Sequence, residues 1–381
     1  MAHVHNTKMK MLILSITVYV VFLSPTAKAD FIFGEPSKVP NINTSSFDGC
    51  GSITPDGLEL YIASFHPYGG DGCYGDIYVA TRSTTDDDWS TPMKLAPPVN
   101  TDGPEDSPRI SADGLELYFT DGWNPSLASG CTRRPGGYGG SDIWVSTRPT
   151  RDDPWGEPQN LGPEINLSDG GGELLPVISP DGLSLYFTSY RDNGYGLHDI
   201  YVTQRPSKND PWGPPDILEP LFNTNKSERC SFISPDNLSL YFTRSSYSVA
   251  NYDIYVSRRL SVTDPWDSPV PLGLVNTSKS EYNLMFAPGS STLYLNLSDY
   301  YSGDAPASLT TFDIWQVEVT PIVDLNTDGV VNAADICIMV DHWHKKSTLC
   351  DIAPAPLGDG IVDIQDLTVL AEHLFEEVPR P

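Results

Sequence analysis

The chain has 381 residues, of which 50 are Asp or Glu and 23 are Lys or Arg, giving a formal net charge of −27 at pH 7. So acidic a protein repels nucleic acid and anionic lipid, which argues against both as partners. An acidic balance by itself is more often a feature of solubility than of function.

The first 29 residues have the features of a secretory signal. Lys8 and Lys10 precede an apolar run from Met11 to Leu23, and Ala27-Lys-Ala29 is an A-x-A cleavage site. The run is well short of the roughly 20 apolar residues that a membrane-spanning helix needs, so a single anchoring helix is the less favoured alternative. We expect a secreted bacterial protein, extracellular or in the periplasm or cell envelope, with no membrane span after signal removal.

Residues 30–320 repeat a two-part motif five times. The first part is a turn followed by an apolar run: Thr54-Pro-Asp-Gly-Leu-Glu-Leu-Tyr61, Ser111-Ala-Asp-Gly-Leu-Glu-Leu-Tyr118, Ser179-Pro-Asp-Gly-Leu-Ser-Leu-Tyr186, Ser234-Pro-Asp-Asn-Leu-Ser-Leu-Tyr241 and Ala287-Pro-Gly-Ser-Ser-Thr-Leu-Tyr294. The second part is Asp76-Ile-Tyr-Val79, Asp142-Ile-Trp-Val145, Asp199-Ile-Tyr-Val202, Asp253-Ile-Tyr-Val256 and Asp313-Ile-Trp315. Self-similarity at this spacing indicates a repeat architecture.

Each repeat alternates apolar and polar residues over short runs bounded by Pro, Asp, Gly and Ser, which is the pattern of strands joined by tight turns. In the third repeat this predicts strands at 174–178, 183–188 and 200–204, with a fourth after Asp210-Pro-Trp212. Four short strands without helical periodicity are typical of a propeller blade. The sequence therefore predicts an all-β, five-bladed β-propeller.

The fifth repeat stops at Val317, after only three strands. The missing fourth strand has a counterpart at the start of the repeats, where Phe33-Gly-Glu-Pro36 parallels Trp155-Gly-Glu-Pro158. We therefore expect the N-terminal strand to complete the last blade and close the ring, which leaves no long unpaired edge.

These Ser-Pro-Asp-Gly and Asp-Ile-Tyr/Trp-Val motifs resemble the WD40-like (PD40, TolB-like) β-propeller repeat of secreted bacterial proteins. The resemblance covers about residues 31–319 and implies a propeller with a binding surface but no fixed chemistry. The fifth copy departs most, with Pro288-Gly-Ser290 at its turn.

Export would allow disulfides, and six cysteines can pair in 15 ways that sequence alone does not separate. Cys337 and Cys350 are the favoured pair because they flank one short connection. Cys73 and Cys131 fall in equivalent loops and form a second candidate pair, whereas Cys50 and Cys230 fit small buried positions better.

After Pro321 a different pattern begins. It begins with residues that supply oxygen ligands at the spacing of a calcium loop, with a glycine at the sharp turn. An apolar helical face follows. A degraded copy lies 31 residues later, with Ala355 and Leu357 at the first two ligand positions. The candidate ligands, two of them through backbone carbonyls, are Asp324, Asn326, Asp328, Val330, Asn332, Asp335, Asp359, Ile361, Asp363 and Asp366.

Two calcium loops, each followed by one helix, resemble a dockerin, so residues 321–381 are expected to form a small α-helical, EF-hand-like module. The resemblance implies Ca²⁺ as cofactor, one ion at the first loop and possible occupancy of the second, and a cohesin-like or cell-surface protein as partner. The alternative for each loop is a solvated acidic turn.

A candidate ligand face lies where the loops before strand one meet those between strands two and three. One acid recurs in each blade, at Asp48, Glu105, Glu173, Glu228 and Glu281, and should form a ring at the channel mouth. Tyr74, Tyr138, Tyr195 and Arg191 lie in the Gly-rich loops beside it and would contact carbohydrate or peptide. The alternative, which we favour for the acids, is that each caps backbone N–H groups of its own blade, because a residue present in every copy usually serves the unit.

The sequence favours a binding propeller without catalysis, attached through the dockerin in a polysaccharide or cell-surface setting. A glycoside hydrolase with carboxylates on the propeller face is the first alternative, and a structural envelope scaffold is the second. We rank the binding propeller above the hydrolase because a glycosidase needs carboxyls in different environments, whereas the five acids occupy equivalent positions.

Overall fold

The computed structural model describes residues 31–64, 75–122, 134–168, 172–191, 193–245, 252–286, 291–298, 312–321, 323, 325, 330–345, 350–353 and 361–375. The signal region and the predicted pair Cys73 and Cys131 lie outside these residues. The strands form five antiparallel sheets, one for each repeat, as predicted.

The four complete blades share one strand order, in which each strand pairs with the next along the chain. Blade one contains β3 (Asp48–Ile53), β4 (Glu59–Ser64), β5 (Asp76–Thr81) and β6 (Met93–Lys94). Blade two contains β7 (Asp106–Ile110), β8 (Glu116–Thr120), β9 (Ile143–Thr147) and β10 (Gln159–Asn160). Blade three contains β11 (Glu173–Ile178), β12 (Ser184–Ser189), β13 (Asp199–Gln204) and β14 (Asp216–Ile217). Blade four contains β15 (Ser227–Ile233), β16 (Ser239–Ser245), β17 (Asp253–Arg258) and β18 (Val270–Pro271).

Blade five is completed by the start of the chain. Its own strands are β19 (Ser280–Phe286), β20 (Thr292–Ser298) and β21 (Asp313–Pro321), preceded by a 3-10 turn at Gly273–Val275. The outer edge of β21 pairs with two N-terminal strands, β1 (Phe31–Phe33) and β2 (Ser37–Lys38). The predicted closure is therefore confirmed, with β2 in the place of strand four.

The repeated Ser/Thr-x-Asp-Gly motif forms the turn between strands one and two. In blade one, the Thr54 hydroxyl donates to Asp56, which accepts the Leu58 N–H, and Gly57 has φ +71°. Glycine adopts this left-handed conformation at little cost, and a short side chain that bonds the local backbone fixes the turn. Asn237 fills the glycine position in blade four, with φ +65°.

Four blades carry an arginine at the end of strand three that the sequence reading did not single out. Arg148 donates through Nε to the Gly114 carbonyl, stacks on Trp155 at 4.3 Å, and reaches Glu59 of the preceding blade at 3.6 Å. The others stack at 4.2–4.4 Å in the pairs Arg82–Trp89, Arg205–Trp212 and Arg259–Trp266. The tryptophan that follows strand three therefore provides an aromatic surface on which the arginine at the end of that strand stacks.

Two short helices follow the propeller, α1 (Ala333–Asp341) and α2 (Ile364–Glu372). Helices this small do not establish an EF-hand dockerin. Cys337 is a free, exposed thiol, so the predicted Cys337–Cys350 disulfide is wrong, whereas Cys230 is buried as expected. In the described part of the chain, no helix has the length and apolarity to cross a membrane.

Ring closure gives a test with a single substitution. The Asn43 amide bonds both the N–H and the carbonyl of Ile314, joining the first segment to β21. We expect Asn43→Ala to lower the free energy of unfolding by about 1–3 kcal/mol, because it leaves the buried Ile314 N–H without a partner, whereas the Ile314 carbonyl keeps its bond from the Val39 N–H. Urea titration would measure the loss. Ser45→Ala, at an exposed position of the same loop, should unfold like the wild type, and equal stability of the two variants would contradict this role for Asn43.

Candidate functional site at the channel mouth

The five repeated acids lie at the starts of the inner strands, where neighbouring blades meet. Each donates its backbone N–H to a carbonyl of the preceding blade, at 2.8–2.9 Å. The donor–acceptor pairs are Asp48–Phe312, Glu105–Gly75, Glu173–Ser141, Glu228–His198 and Glu281–Tyr252. The acids therefore mark a ring of blade junctions that includes the junction between blades five and one.

The carboxylates of these acids are fully buried and bonded within their own loops. Glu105 accepts the N–H and the hydroxyl of Thr101, at 3.0 and 2.5 Å. Thr44, Thr224 and Thr277 bond Asp48, Glu228 and Glu281 in the same way, and the Leu167 N–H bonds Glu173. Such bonds stabilise a loop, and burial on this scale keeps the five carboxylates away from a ligand above them.

An asparagine precedes each of these loop donors and was missed in the sequence reading. Asn100 accepts the Ile77 N–H and donates to the Ile77 carbonyl, both at 2.8 Å. The same two-way bond recurs in the pairs Asn43–Ile314, Asn166–Ile143, Asn223–Ile200 and Asn276–Ile254. In the sequence this asparagine is visible in four Asn-Thr pairs and one Asn-Leu pair, each a few residues ahead of a repeated acid.

Three of the five acids face an arginine of the same blade. Arg134 pairs with Glu105 at 3.0 Å, Arg244 with Glu228 at 2.9 Å, and Arg191 with Glu173 at 3.4 Å. Arg191 also donates to the Ile165 carbonyl and stacks on Tyr201. The structure thus places this predicted ligand-binding residue beside Glu173, where its charge offsets the buried carboxylate.

Glu281 and Asp48, in the adjacent blades five and one, have no arginine against them in the described part of the chain. Burial raises the pKa of Glu281 to about 7, as it does for Glu105 and Glu173, but Glu281 lacks their arginine and its Oε2 has no hydrogen-bond partner among the described residues. Burial also raises the pKa of Asp48, although bonds from Ser64 and Thr44 oppose the shift. The symmetry of the acid ring is therefore broken between blades five and one.

The predicted loop tyrosines lie at the surface of this face. Tyr138 and Tyr195 are 44% and 49% exposed, and their backbone N–H groups bond Asp142 and Asp199 at the starts of strands three. Tyr74 lies outside the described residues. The two tyrosines occupy matching positions in blades two and three, and their rings are available to a ligand.

An arc of aromatic residues runs along the mouth over blades three, four and five and reaches the start of blade one. The residue just before strand three is His198, Tyr252 or Phe312 in these blades, but Gly75 or Ser141 in blades one and two. Tyr252 contacts Tyr282 at 4.6 Å between ring centroids, Tyr282 contacts Phe312 at 5.2 Å, and Phe312 contacts Phe47 at 4.7 Å. His198 and Tyr252 join at the Ser227 hydroxyl, 3.2 Å from each. We call this set, His198, Tyr252, Tyr282, Phe312 and Phe47, the aromatic arc.

The residue after each acid also differs from blade to blade: Gly49, Asp106, Leu174, Arg229 and Tyr282. Strand alternation turns it to the opposite side from the buried acid. Asp106 is partly exposed, and burial raises its pKa while Arg109 opposes the shift. Each inner strand has a β-bulge just beyond this point, the kind of irregularity often found beside functional sites.

A second aspartate at this face differs from its counterparts. The strand-three aspartates are held in four blades: Asp76 by Lys94, Asp313 by Lys38, and Asp142 and Asp199 by backbone N–H groups. The fifth, Asp253, is partly exposed, and no hydrogen bond to its carboxylate is present within the described residues. Burial raises its pKa, opposed by the charge of Lys226. Asp106 and Asp253 are therefore two non-equivalent carboxyls at the channel mouth.

Of the predicted calcium ligands, Asp324, Asn326, Asp328 and Asp359 lie outside the described residues. Asn332 and Asp335 form a capping box at the start of α1, and Asp363 and Asp366 form another at α2. Asp366 also accepts the Ile352 and Ala353 N–H groups. Val330 and Ile361 are exposed. The described parts of the chain contain no cluster of three His, Cys, Asp or Glu side chains that could hold a metal.

The chain matches no protein-family model and no curated protein. Solved structures with a similar fold include a GH62 hydrolase in complex with xylotriose, at 10% identity and TM-score 0.47, covering 76% of this chain and 97% of that one. An α-L-arabinofuranosidase from Podospora anserina in complex with cellotriose has 12% identity and TM-score 0.44, covering 77% and 98%. A thermostable family-43 glycoside hydrolase has 13% identity and TM-score 0.46, covering 74% and 92%.

One prediction is corrected by these comparisons. The sequence favoured a binding propeller without catalysis, whereas the three similar solved structures are glycoside hydrolases. The symmetry used against hydrolysis applies to the five buried acids and not to the whole mouth, where Asp106 lacks equivalents and Asp253 differs from its four counterparts in its surroundings. At 10–13% identity the comparison bears on the fold alone, so support for an activity has to come from the site.

The raised pKa of Glu281 predicts a pH effect on stability. A carboxyl whose pKa is about 7 when folded and near 4.5 when unfolded stabilises the protein below pH 4.5, and this contribution is lost as the pH rises to 7. Glu281→Gln keeps an oxygen for Thr277 but cannot ionise, so its unfolding free energy should fall less between pH 5 and pH 8, by on the order of 2 kcal/mol.

Urea unfolding at the two pH values would measure this difference. Glu157→Gln, at an exposed position of blade two, is the control and should keep the pH dependence of the wild type. Identical pH dependence in the wild type and Glu281→Gln would contradict the assignment.

Proposed function

We propose that this chain is a glycoside hydrolase that binds a glycan across the channel mouth, with Asp106 and Asp253 as its acidic residues. The observation that carries the proposal is the asymmetry of the mouth. Asp106 and the aromatic arc have no full set of counterparts around the ring, and Asp253, although repeated in every blade, has no hydrogen bond or ion pair like those that hold its four counterparts within the described residues. Residues that break the repeat are free to serve a single ligand.

The aromatic arc suits a sugar. Glycan rings present apolar faces with hydroxyl groups at their edges, and flat aromatic side chains beside a few polar groups are the usual lining of small-molecule sites. The arc runs over blades three, four and five and ends at Phe47 at the start of blade one, and the small residues Gly75 and Ser141 leave room before strand three of blades one and two. A chain of sugar units could therefore lie across the mouth, with Tyr138 and Tyr195 at its border.

Hydrolysis of a glycosidic bond requires two carboxyls, one to protonate the leaving oxygen and one to act as base or nucleophile. Asp106 and Asp253 lie in blades two and four, and burial raises the pKa of both. The shift is opposed at Asp106 by the bond from the Ser107 N–H and by the Arg109 guanidinium, and at Asp253 by the charge of Lys226 alone. Unequal surroundings of this kind allow one carboxyl to stay protonated while the other is ionised.

Release of reducing sugar from a panel of neutral and acidic polysaccharides tests the activity. We expect product from the wild type, and a fall of at least about 10³-fold in kcat/KM for Asp106→Asn and for Asp253→Asn. Asp102→Asn, at an exposed position of the loop before Asp106, is the control and should retain full activity. The limb of the pH–rate profile that each variant removes would identify the acid and the base. A wild type that binds glycans without releasing product would contradict the proposal.

We also propose that the propeller belongs to the PD40-like repeats and that residues 321–381 form a dockerin-like module that binds Ca²⁺. Support comes from an internal two-fold pattern 31 residues apart. The His344 N–H donates to the Val362 carbonyl and the Phe375 N–H donates to the Val331 carbonyl, so each unit bonds the loop of the other. Two loop–helix units paired in this manner would present both loops on one side of the module.

The described loop residues fit a hard cation in part. Asp335 and Asp366 are buried carboxylates at the starts of their helices, and the charge of nearby Asp363 helps to raise the pKa of Asp366, whose main cause is burial. A cation there would relieve the repulsion between the Asp363 and Asp366 carboxylates. The module would attach a secreted enzyme to a cohesin-like or cell-surface protein.

Chelation tests the calcium proposal. In calorimetry we expect two transitions, of which only the one from residues 321–381 falls on addition of EDTA and returns with Ca²⁺, because metal binding contributes directly to folding of such a small unit. Asp335→Ala should abolish the response, whereas Asp341→Ala, at an exposed position of the same helix, should not. A protein in which neither transition responds to EDTA would contradict calcium binding.

A further inference from the structure

Two loops at the edge of the channel mouth share a local structure that holds a tyrosine at the surface. They are Gly137-Tyr-Gly139 in blade two and Gly194-Tyr-Gly196 in blade three. In each loop the tyrosine N–H donates to the strand-three aspartate four residues later, Asp142 at 2.5 Å and Asp199 at 2.8 Å. Both aspartates are buried. The backbone of each tyrosine is therefore fixed to the strand that follows it, whereas its ring points away from the blade core.

The glycine after each tyrosine brings the loop against the next blade. A Cβ at Gly139 would collide with the Leu167 carbonyl oxygen, and one at Gly196 would collide with the Lys226 carbonyl oxygen. The Leu197 N–H also donates to the Lys226 carbonyl, at 3.0 Å. Only glycine permits so close an approach of two backbones, so each loop is held between its own strand three and the loop before the next blade.

The rings of Tyr138 and Tyr195 supply nothing that the repeat requires. They are 44% and 49% exposed, and neither phenol hydroxyl has a hydrogen bond in the described part of the chain. The residue four positions before the strand-three aspartate is Gly72, Val249 or Leu309 in the other blades. A tyrosine on a rigid loop offers a large contact area to a ligand and loses little conformational entropy on binding.

A third exposed tyrosine connects these loops to the aromatic arc. Tyr190 directly follows β12 and is 50% exposed, and its ring centroid lies 6.0 Å from that of His198, a member of the arc. Tyr190 and Tyr195 belong to the loop between strands two and three of blade three, and Tyr138 belongs to the corresponding loop of blade two. We call Tyr138, Tyr190 and Tyr195 the tyrosine platform. It continues the aromatic surface of the arc into blade two.

The chemistry of the tyrosine platform favours an uncharged, extended ligand. Tyrosine side chains carry no charge at neutral pH, and the net charge of −27 on the chain repels a polyanion. Rings placed on two neighbouring blades suit a chain of repeated units better than a single small molecule. Sugar units present an apolar face that can stack on a ring and hydroxyls that can bond a phenol oxygen.

We propose that the tyrosine platform anchors a neutral polysaccharide chain at the edge of the mouth, outside the sugar units that Asp106 and Asp253 would contact. This assignment rests on the proposed function for the class of ligand, but binding at the platform does not require hydrolysis. A polymer bound there would continue over blade three towards the arc. The platform would therefore strengthen the binding of long chains in particular.

Native gels that contain xylan, mixed-linkage β-glucan or galactomannan test the anchor directly, with polygalacturonate as the anionic comparison. We expect at least one of the three neutral polymers to retard the wild type. Tyr138→Ala and Tyr195→Ala should each weaken that binding about fivefold, because each removes one stacked ring. Met93→Ala is the control, since it removes an exposed apolar side chain from the outer strand of blade one and should bind like the wild type.

Kinetics separates the anchor from the chemistry at the mouth. For a polymer that binds, the combined variant Tyr138→Ala/Tyr190→Ala/Tyr195→Ala should raise KM at least about tenfold. A wild type that is retarded without releasing product, and a combined variant that is no longer retarded, would contradict hydrolysis and support the anchor. No retardation of the wild type by the neutral polymers, or equal retardation of the wild type and the combined variant, would overturn it.

Discussion

The structure depends on one hydrogen-bonded unit that is repeated at every blade junction. An asparagine amide bonds both backbone groups of the isoleucine in strand three, and the acid a few residues later donates its N–H to the residue before that strand. Because one contact uses backbone groups of strand three and the other the residue before it, the two together fix the loop between blades at the same place in each repeat. Each loop is thereby tied to the preceding blade, including at the junction between blades five and one.

Much of this architecture follows from the sequence. The alternation of apolar residues and the Asp-Gly turns predict the strands, and the shortfall of one strand in the fifth repeat predicts its replacement by the N-terminal segment. The acid ring is visible as well, since its members keep one spacing from the apolar residue that ends each inner strand. The preference for a capping role follows from their symmetry and agrees with the bonds to Thr101 and its counterparts.

The mouth is harder to predict because its distinctive residues break the repeat. Asp106 and Tyr282 occupy one position of the inner strand and His198, Tyr252 and Phe312 another, and neither position carries a motif in the sequence. Asp253 belongs to a conspicuous motif, but only the structure distinguishes it from four aspartates that are held by lysines or backbone N–H groups.

The closure of the ring has a consequence for the order in which the protein can fold. Asn43 and Ile314 are 271 residues apart, whereas the pairings within blades one to four join strands that follow one another directly. Individual blades can thus form early from local contacts, but the circle is completed only when the final strand has left the ribosome or the export channel. Until then the first segment has no sheet to join, and the growing propeller presents an open end to its neighbours. A rearranged gene that moves the first segment behind β21 would turn this distant contact into a hairpin and shorten the interval of exposure.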